Sequence, residues 1–203
     1  MRNVKLTITW TIAAAAAGFA LTGAMAGIVG SGHDFSPYGW SEFKICKPCH
    51  TPHNADTSVD APLWNHELTT ATYILYDSDT LHEEVEDPGP KSILCLSCHD
   101  GTVALDSFGG NTGMTFIEGD ALLGTDLSDD HPIGIEWSHQ NPDVNCFNCH
   151  NPYDPDWERP LPFFDNKMEC LTCHEPHNQG QDPDYMLRLP ILGSQLCLHC
   201  HNP

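Results

Sequence analysis

The chain has 203 residues and a formal net charge of −20, with 8 basic residues against 28 acidic ones. So acidic a surface excludes unaided binding to nucleic acid or anionic lipid. Gly and Pro number 16 each and Cys 10, which disfavours long helices or sheets and points to loops organised by cysteines.

Residues 1–26 read as a cleaved secretory signal peptide. Arg2 and Lys5 precede an apolar run from Ile8 to about Leu21, and Ala24-Met25-Ala26 is a small-x-small cleavage site. The run is short for a bilayer span, and no later stretch is long and apolar enough to be one. Losing Arg2 and Lys5 takes the formal charge from −20 to −22. Residues 27–203 are expected to form one domain in the periplasm or outside the cell.

Residues 27–42 are Gly/Ser-rich, carry His33 and predict an extended arm over the surface. Next comes Cys46-Lys47-Pro48-Cys49-His50-Thr51-Pro52-His53-Asn54. C-x-x-C-H is the attachment site of a c-type haem, with two thioether cysteines and an axial histidine. The pattern occurs five times, at Cys46, Cys49 and His50; Cys95, Cys98 and His99; Cys146, Cys149 and His150; Cys170, Cys173 and His174; and Cys197, Cys200 and His201. These five sites use every cysteine, leaving none for a disulfide, and the histidine after each pair separates them from zinc ribbons. The fourth site repeats the Pro-His-Asn ending of the first, as Pro176-His177-Asn178.

Between these sites lie spacers. Residues 61–67 read as an apolar pocket wall holding His66, and 68–76 as a short strand or irregular chain. Pro88-Gly89-Pro90 is a break, after which Ser92 predicts an N-cap for a helix over Cys95–His99. Residues 100–145 hold Asp130-His131-Pro132-Ile133-Gly134 and His139, and Ser194 predicts the cap of a last short helix. The clusters Glu83, Glu84, Glu86, Asp87 and Asp126, Asp129, Asp130 have the hard oxygens a Ca²⁺ ion takes, although a solvated acidic surface is the better account of them. The expected fold is irregular, mostly coil with short α-helices, around a chain of five haems that stands in for an apolar core. Folding and cofactor attachment would then be one process.

Function turns on the second axial position, since an open iron binds small ligands and a filled one passes electrons. Eight histidines remain beyond the five motif ones, enough for bis-histidine ligation throughout. His53 and His177, three residues past a motif histidine, cannot reach the same iron and suit a neighbouring one. His131 is fixed by a Pro-Gly turn, and His33 and His66 stand in Gly-rich or apolar surroundings. These five are the expected distal ligands, with His139 and His82 as alternates. His199 lies inside its own haem-binding loop, too close to the haem edge, and Met114 is the least unsuitable methionine.

Together, Gly32-His33-Asp34, the first motif with Pro52-His53, Pro62-Leu63-Trp64-Asn65-His66, Cys95-Leu96-Ser97-Cys98-His99-Asp100-Gly101-Thr102, Asp130-His131-Pro132-Ile133-Gly134 and Cys170–His174 with Pro176-His177 resemble the doubled-C-x-x-C-H multihaem cytochromes of the cytochrome c3-like superfamily. The resemblance runs along nearly all of residues 27–203. It implies low-potential, bis-histidine haems stacked in a chain. Some members are similar to small tetrahaem subunits of extracellular cytochrome filaments, where a haem can take its second histidine from the next subunit. The site at Cys146–His150 is one more than the four-haem pattern and leaves His66 and His139 as rivals for one iron.

The expected function is electron transfer by an exported pentahaem protein, not catalysis. Its partners are redox proteins or further copies of itself in a filament. A monomeric periplasmic shuttle to a terminal reductase is the alternative. A haem enzyme such as a nitrite reductase fits less well, since no site reads C-x-x-C-K.

Overall fold

The computed structural model describes residues 25–136, 161–178 and 186–201. With Gly and Pro scattered throughout, regular structure among the described residues is confined to short pieces, and three of the four α-helices sit on the cysteine motifs. The α-helices are α1 (Met25–Ile28), α2 (Pro90–His99), α3 (Cys170–Cys173) and α4 (Gln195–Leu198). Single 3-10 turns lie at Gly39–Ser41, Gly119–Ala121 and Leu192–Ser194. Among the described residues there is no strand, only isolated bridges such as His66 to Phe108 and Ile74 to Asp126. The fold is thus mostly coil with short helices, and residues 68–76 are irregular apart from that last bridge.

Helix α2 begins earlier than Ser92. Gly89 occupies the N-cap position and Pro90 the first helical one, where a missing N–H costs nothing and the fixed φ is already helical. Ser92 is instead a fully buried residue of the first turn. Ser194 does stand at the N-cap of α4, but with a left-handed backbone and no side-chain cap bond.

The segment from Gly27 to Glu42 is not an extended arm. Successive turns link Ser31 to Ile28, Asp34 to Ser31 and Tyr38 to Phe35. The Asp34 carboxylate closes one of them, accepting from the Gly30 and Ser36 amides at 2.8 and 3.1 Å and from the Ser36 hydroxyl at 2.6 Å. Phe35, Tyr38 and Trp40 form an aromatic cluster, and Trp40 reaches Phe108 at 6.1 Å between centroids. The start of the segment docks on the fourth site. The Asn178 amide donates to the Gly27 carbonyl at 2.9 Å, and a Cβ on Gly27 would collide with the carbonyls of His177 and Asn178.

The apolar core is thin. Leu96, Ala104, Phe108, Leu161 and Leu187 are buried, but so are Ser41, Ser92, Ser97, Ser107, Glu169 and Thr172. Polar bonds therefore carry much of the local order. Asp100 accepts from the Thr69 hydroxyl at 2.6 Å, the Tyr73 hydroxyl at 2.8 Å and the Thr102 amide at 2.7 Å, satisfying a carboxylate that would otherwise be costly to bury. None of the described helices is long and apolar enough to cross a membrane.

Candidate haem sites

In the described motifs one helical turn brings the reactive atoms together. The amides of His50, His174 and His201 donate to the carbonyls of Cys46, Cys170 and Cys197 at 2.8, 3.0 and 2.8 Å. In the second site α2 supplies the same turn. Positions i, i+3 and i+4 share one helical face, so two thiols and an imidazole face the same way.

The first and fourth sites fold alike well beyond that turn. Thr51 N–H donates to the Leu63 carbonyl and Asn65 N–H to the Cys49 carbonyl. In the fourth site Glu175 N–H donates to Met186 and Arg188 N–H to Cys173. Leu63 and Met186 both take a positive φ, 56° and 54°, as do the motif asparagines Asn54 and Asn178, 56° and 55°. Asparagine tolerates that region better than most residues, which accounts for the repeated Pro-His-Asn.

The described cysteines form no disulfide. Desolvation by the surrounding chain pushes the thiols of Cys49, Cys173 and Cys200 up to about 11 and that of Cys98 to about 12. The Cys95 and Cys170 thiols hydrogen-bond to each other, raising the first and lowering the second. Second and fourth attachment points are therefore side by side.

The histidines fall into pairs. His50 and His177 have ring centroids 6.2 Å apart, His33 and His99 6.2 Å, and His131 and His201 6.1 Å. With a metal–nitrogen bond of about 2 Å and a ring radius of about 1 Å, two imidazoles on one ion have centroids roughly 6 Å apart. The first pair is nearly parallel, at 14°, yet far too widely spaced for face-to-face contact. Each pair joins one motif histidine to one from elsewhere in the chain.

The ring nitrogens are committed accordingly. Nδ1–H of His50 donates to the Pro62 carbonyl at 2.8 Å, of His99 to Ala121 at 2.7 Å, of His33 to Pro176 at 3.1 Å and of His131 to Pro132 at 3.1 Å. His177 uses the Glu175 carboxylate at 3.2 Å. Such bonds fix the tautomer and leave Nε2 as the ligating nitrogen. Burial holds His33 below the usual histidine range, against the Pro176 bond, and the nearby His99, His177 and His174 act in the same direction as burial. A neutral imidazole is the ligating form. Two thiols and an imidazole in each motif, with a second imidazole at one-ion spacing in three of them, fit a c-type haem.

Among the described residues no motif histidine stands across from His66. It is buried, with Nδ1 2.7 Å from the Glu67 carbonyl and Nε2 3.0 Å from the Ala104 carbonyl and 3.5 Å from Cys98 Sγ. Those carbonyls cover both nitrogens, so it braces the second site from behind. His53 is exposed on the rim of an open cavity of about 640 Å³ that Asp56, Trp64 and Glu67 also line. His82 is exposed on the acidic segment and His174 on its own motif turn. The site at Cys146, Cys149 and His150 lies outside the described residues, as do His139 and residues 1–24. Among the described residues no group of three or more His, Cys, Asp or Glu side chains is assembled around a metal position. Asp126 spends an oxygen on the Ser128 amide and hydroxyl, at 3.1 and 2.6 Å.

Sequence reasoning missed the Nδ1 anchors, four of which are backbone carbonyls with no sequence signature. No family model and no curated protein matches the chain.

Proposed function

We propose that the chain is an exported electron-transfer protein whose five C-x-x-C-H sites carry covalent c-type haem, with imidazole on both axial positions. The observation that carries this reading is the set of three imidazole pairs at 6.1–6.2 Å, each containing a motif histidine. Bound in these sites, haem supplies reversible one-electron exchange between ferric and ferrous iron.

The chain's part is to hold, orient and space. Cysteines fix each site covalently and motif histidines supply the proximal nitrogen. His33, His131 and His177 supply distal ones, with Nδ1 tied back so that the ring cannot turn. The fourth motif serves as a junction. Its turn carries His177, which pairs with His50, and its Pro176 carbonyl anchors His33, which pairs with His99. Three sites thus meet at Cys170–Asn178, as close spacing of redox centres requires.

That these pairs close within one chain favours a unit able to pass electrons before any assembly. Sedimentation of the secreted protein separates the diffusing shuttle from the filament. The ligation is tested by electron paramagnetic resonance and near-infrared magnetic circular dichroism of the oxidised protein. Low-spin, bis-imidazole signatures are expected, and a dominant high-spin signal would favour a haem enzyme.

A further inference from the structure

Helices α2 and α3 lie far apart in sequence and carry neighbouring thiols, Cys95 on α2 and Cys170 at the start of α3. Their N-termini are joined by a reciprocal cap. Helix α2 has no capping side chain of its own, because its N-cap is Gly89. The Glu169 carboxylate, from the residue before α3, accepts the Ser92 N–H at 2.6 Å, across 77 residues. In return, Ser92 Oγ accepts the N–H of Cys170, the first residue of α3, at 3.1 Å. The Glu169 N–H is itself held by the Thr172 hydroxyl at 3.0 Å.

Both capping side chains are shut away from water, Ser92 at 0% and Glu169 at 1% exposure. Gly89 permits the arrangement, since a Cβ there would collide with the Glu169 carboxylate. A buried carboxylate is retained only where its bonds repay desolvation, and a helix start without a cap leaves its first amides unsatisfied. One carboxylate answers both needs. It does so immediately before Cys170, and its partner Ser92 stands three residues before Cys95.

The geometry points to Glu169 as the positioning residue that fixes the second and fourth haems against each other, through the cross-cap with Ser92. This inference rests on the haem reading above. The pair it locks is an internal coupled unit within the five-haem set, and its separation is set by polar bonds where apolar packing is thin.

The test uses the full holoprotein and the variants Glu169→Ala, Glu169→Gln and Gly89→Ala. Three quantities are read: covalent haem per chain, the exciton couplet in the Soret circular dichroism, and amide exchange. Loss of the carboxylate is expected to speed exchange at the Ser92 amide about tenfold. Cys170 should follow, because Ser92 loses its register, and the couplet should shrink while five haems remain. Glu169→Gln, keeping one acceptor oxygen, is expected to fall between Glu169→Ala and wild type, and Gly89→Ala to reproduce the alanine variant. Loss of only the second and fourth haems, mapped on peptides, supports the inference too. An unchanged couplet with Cys170 exchange at the wild-type rate in a fully loaded alanine variant overturns it. So does uniform loss of all five haems from every variant. Wild-type protein without covalent haem would overturn the functional reading first.

Discussion

Replacing His177 by Ala isolates one axial bond. The His177 ring sits 6.2 Å from that of His50, and the Glu175 carboxylate accepts from both its amide and its Nδ1–H at 3.2 Å. The side chain is 45% exposed, and its hydrogen bond to Glu175 is worth about 0.5–1.5 kcal/mol. Against a domain stability of about 5–15 kcal/mol the fold survives. The neighbouring His33 pair survives as well, because its anchor is the Pro176 backbone carbonyl. The expected change is therefore confined to one site in five. About a fifth of the ferric haem should turn from low-spin to high-spin as one axial position opens. Integrating the high-spin resonance against total haem measures this, and added imidazole should reverse it. A variant with all five haems low-spin and unchanged would refute the pairing of His177 with His50.

Other consequences concern stability and pH. Gly134 has φ +81° and sits against the Glu86 carbonyl, so Gly134→Ala should lower the denaturant midpoint, by about 1 kcal/mol or more. Leu96 is 1% exposed on α2, and Leu96→Ala should cost about 2–5 kcal/mol in the same assay. Burial, then the bond to Asp100, pushes the Tyr73 phenol from 10.0 to about 12. Its raised folded value means that the stabilisation is fully present below pH 10 and is lost as pH rises towards 12. Ultraviolet titration should show one late tyrosine that Asp100→Asn brings earlier; five tyrosines titrating together near their ordinary value would contradict the buried bond.

The attachment motifs were legible because their chemistry is local. A single helical turn relates Cys46 to His50, and the same turn recurs in each of the other described motifs. The coil-rich fold was legible for a similar reason, since Gly and Pro act on their own neighbourhoods. Distal pairing was harder to read, because it depends on contacts such as His33 to Pro176, 143 residues apart. The carbonyls of Glu67 and Ala104 against the His66 ring could not be read from its apolar setting, since one lies 38 residues away. Ser92 carried a cap signal whose meaning lay 77 residues away at Glu169. The segment after Gly27 looked too polar to be a helix and read as an extended arm, yet Asp34 turns that polarity into a chain of turns.

The most direct measurement is the intact mass of the native protein under denaturing conditions, with and without a thiol-alkylating reagent. Covalent attachment at every motif predicts the polypeptide plus five haem groups and no alkylated cysteine. A haem-free chain carrying ten alkylatable thiols, or disulfides in their place, would contradict the account.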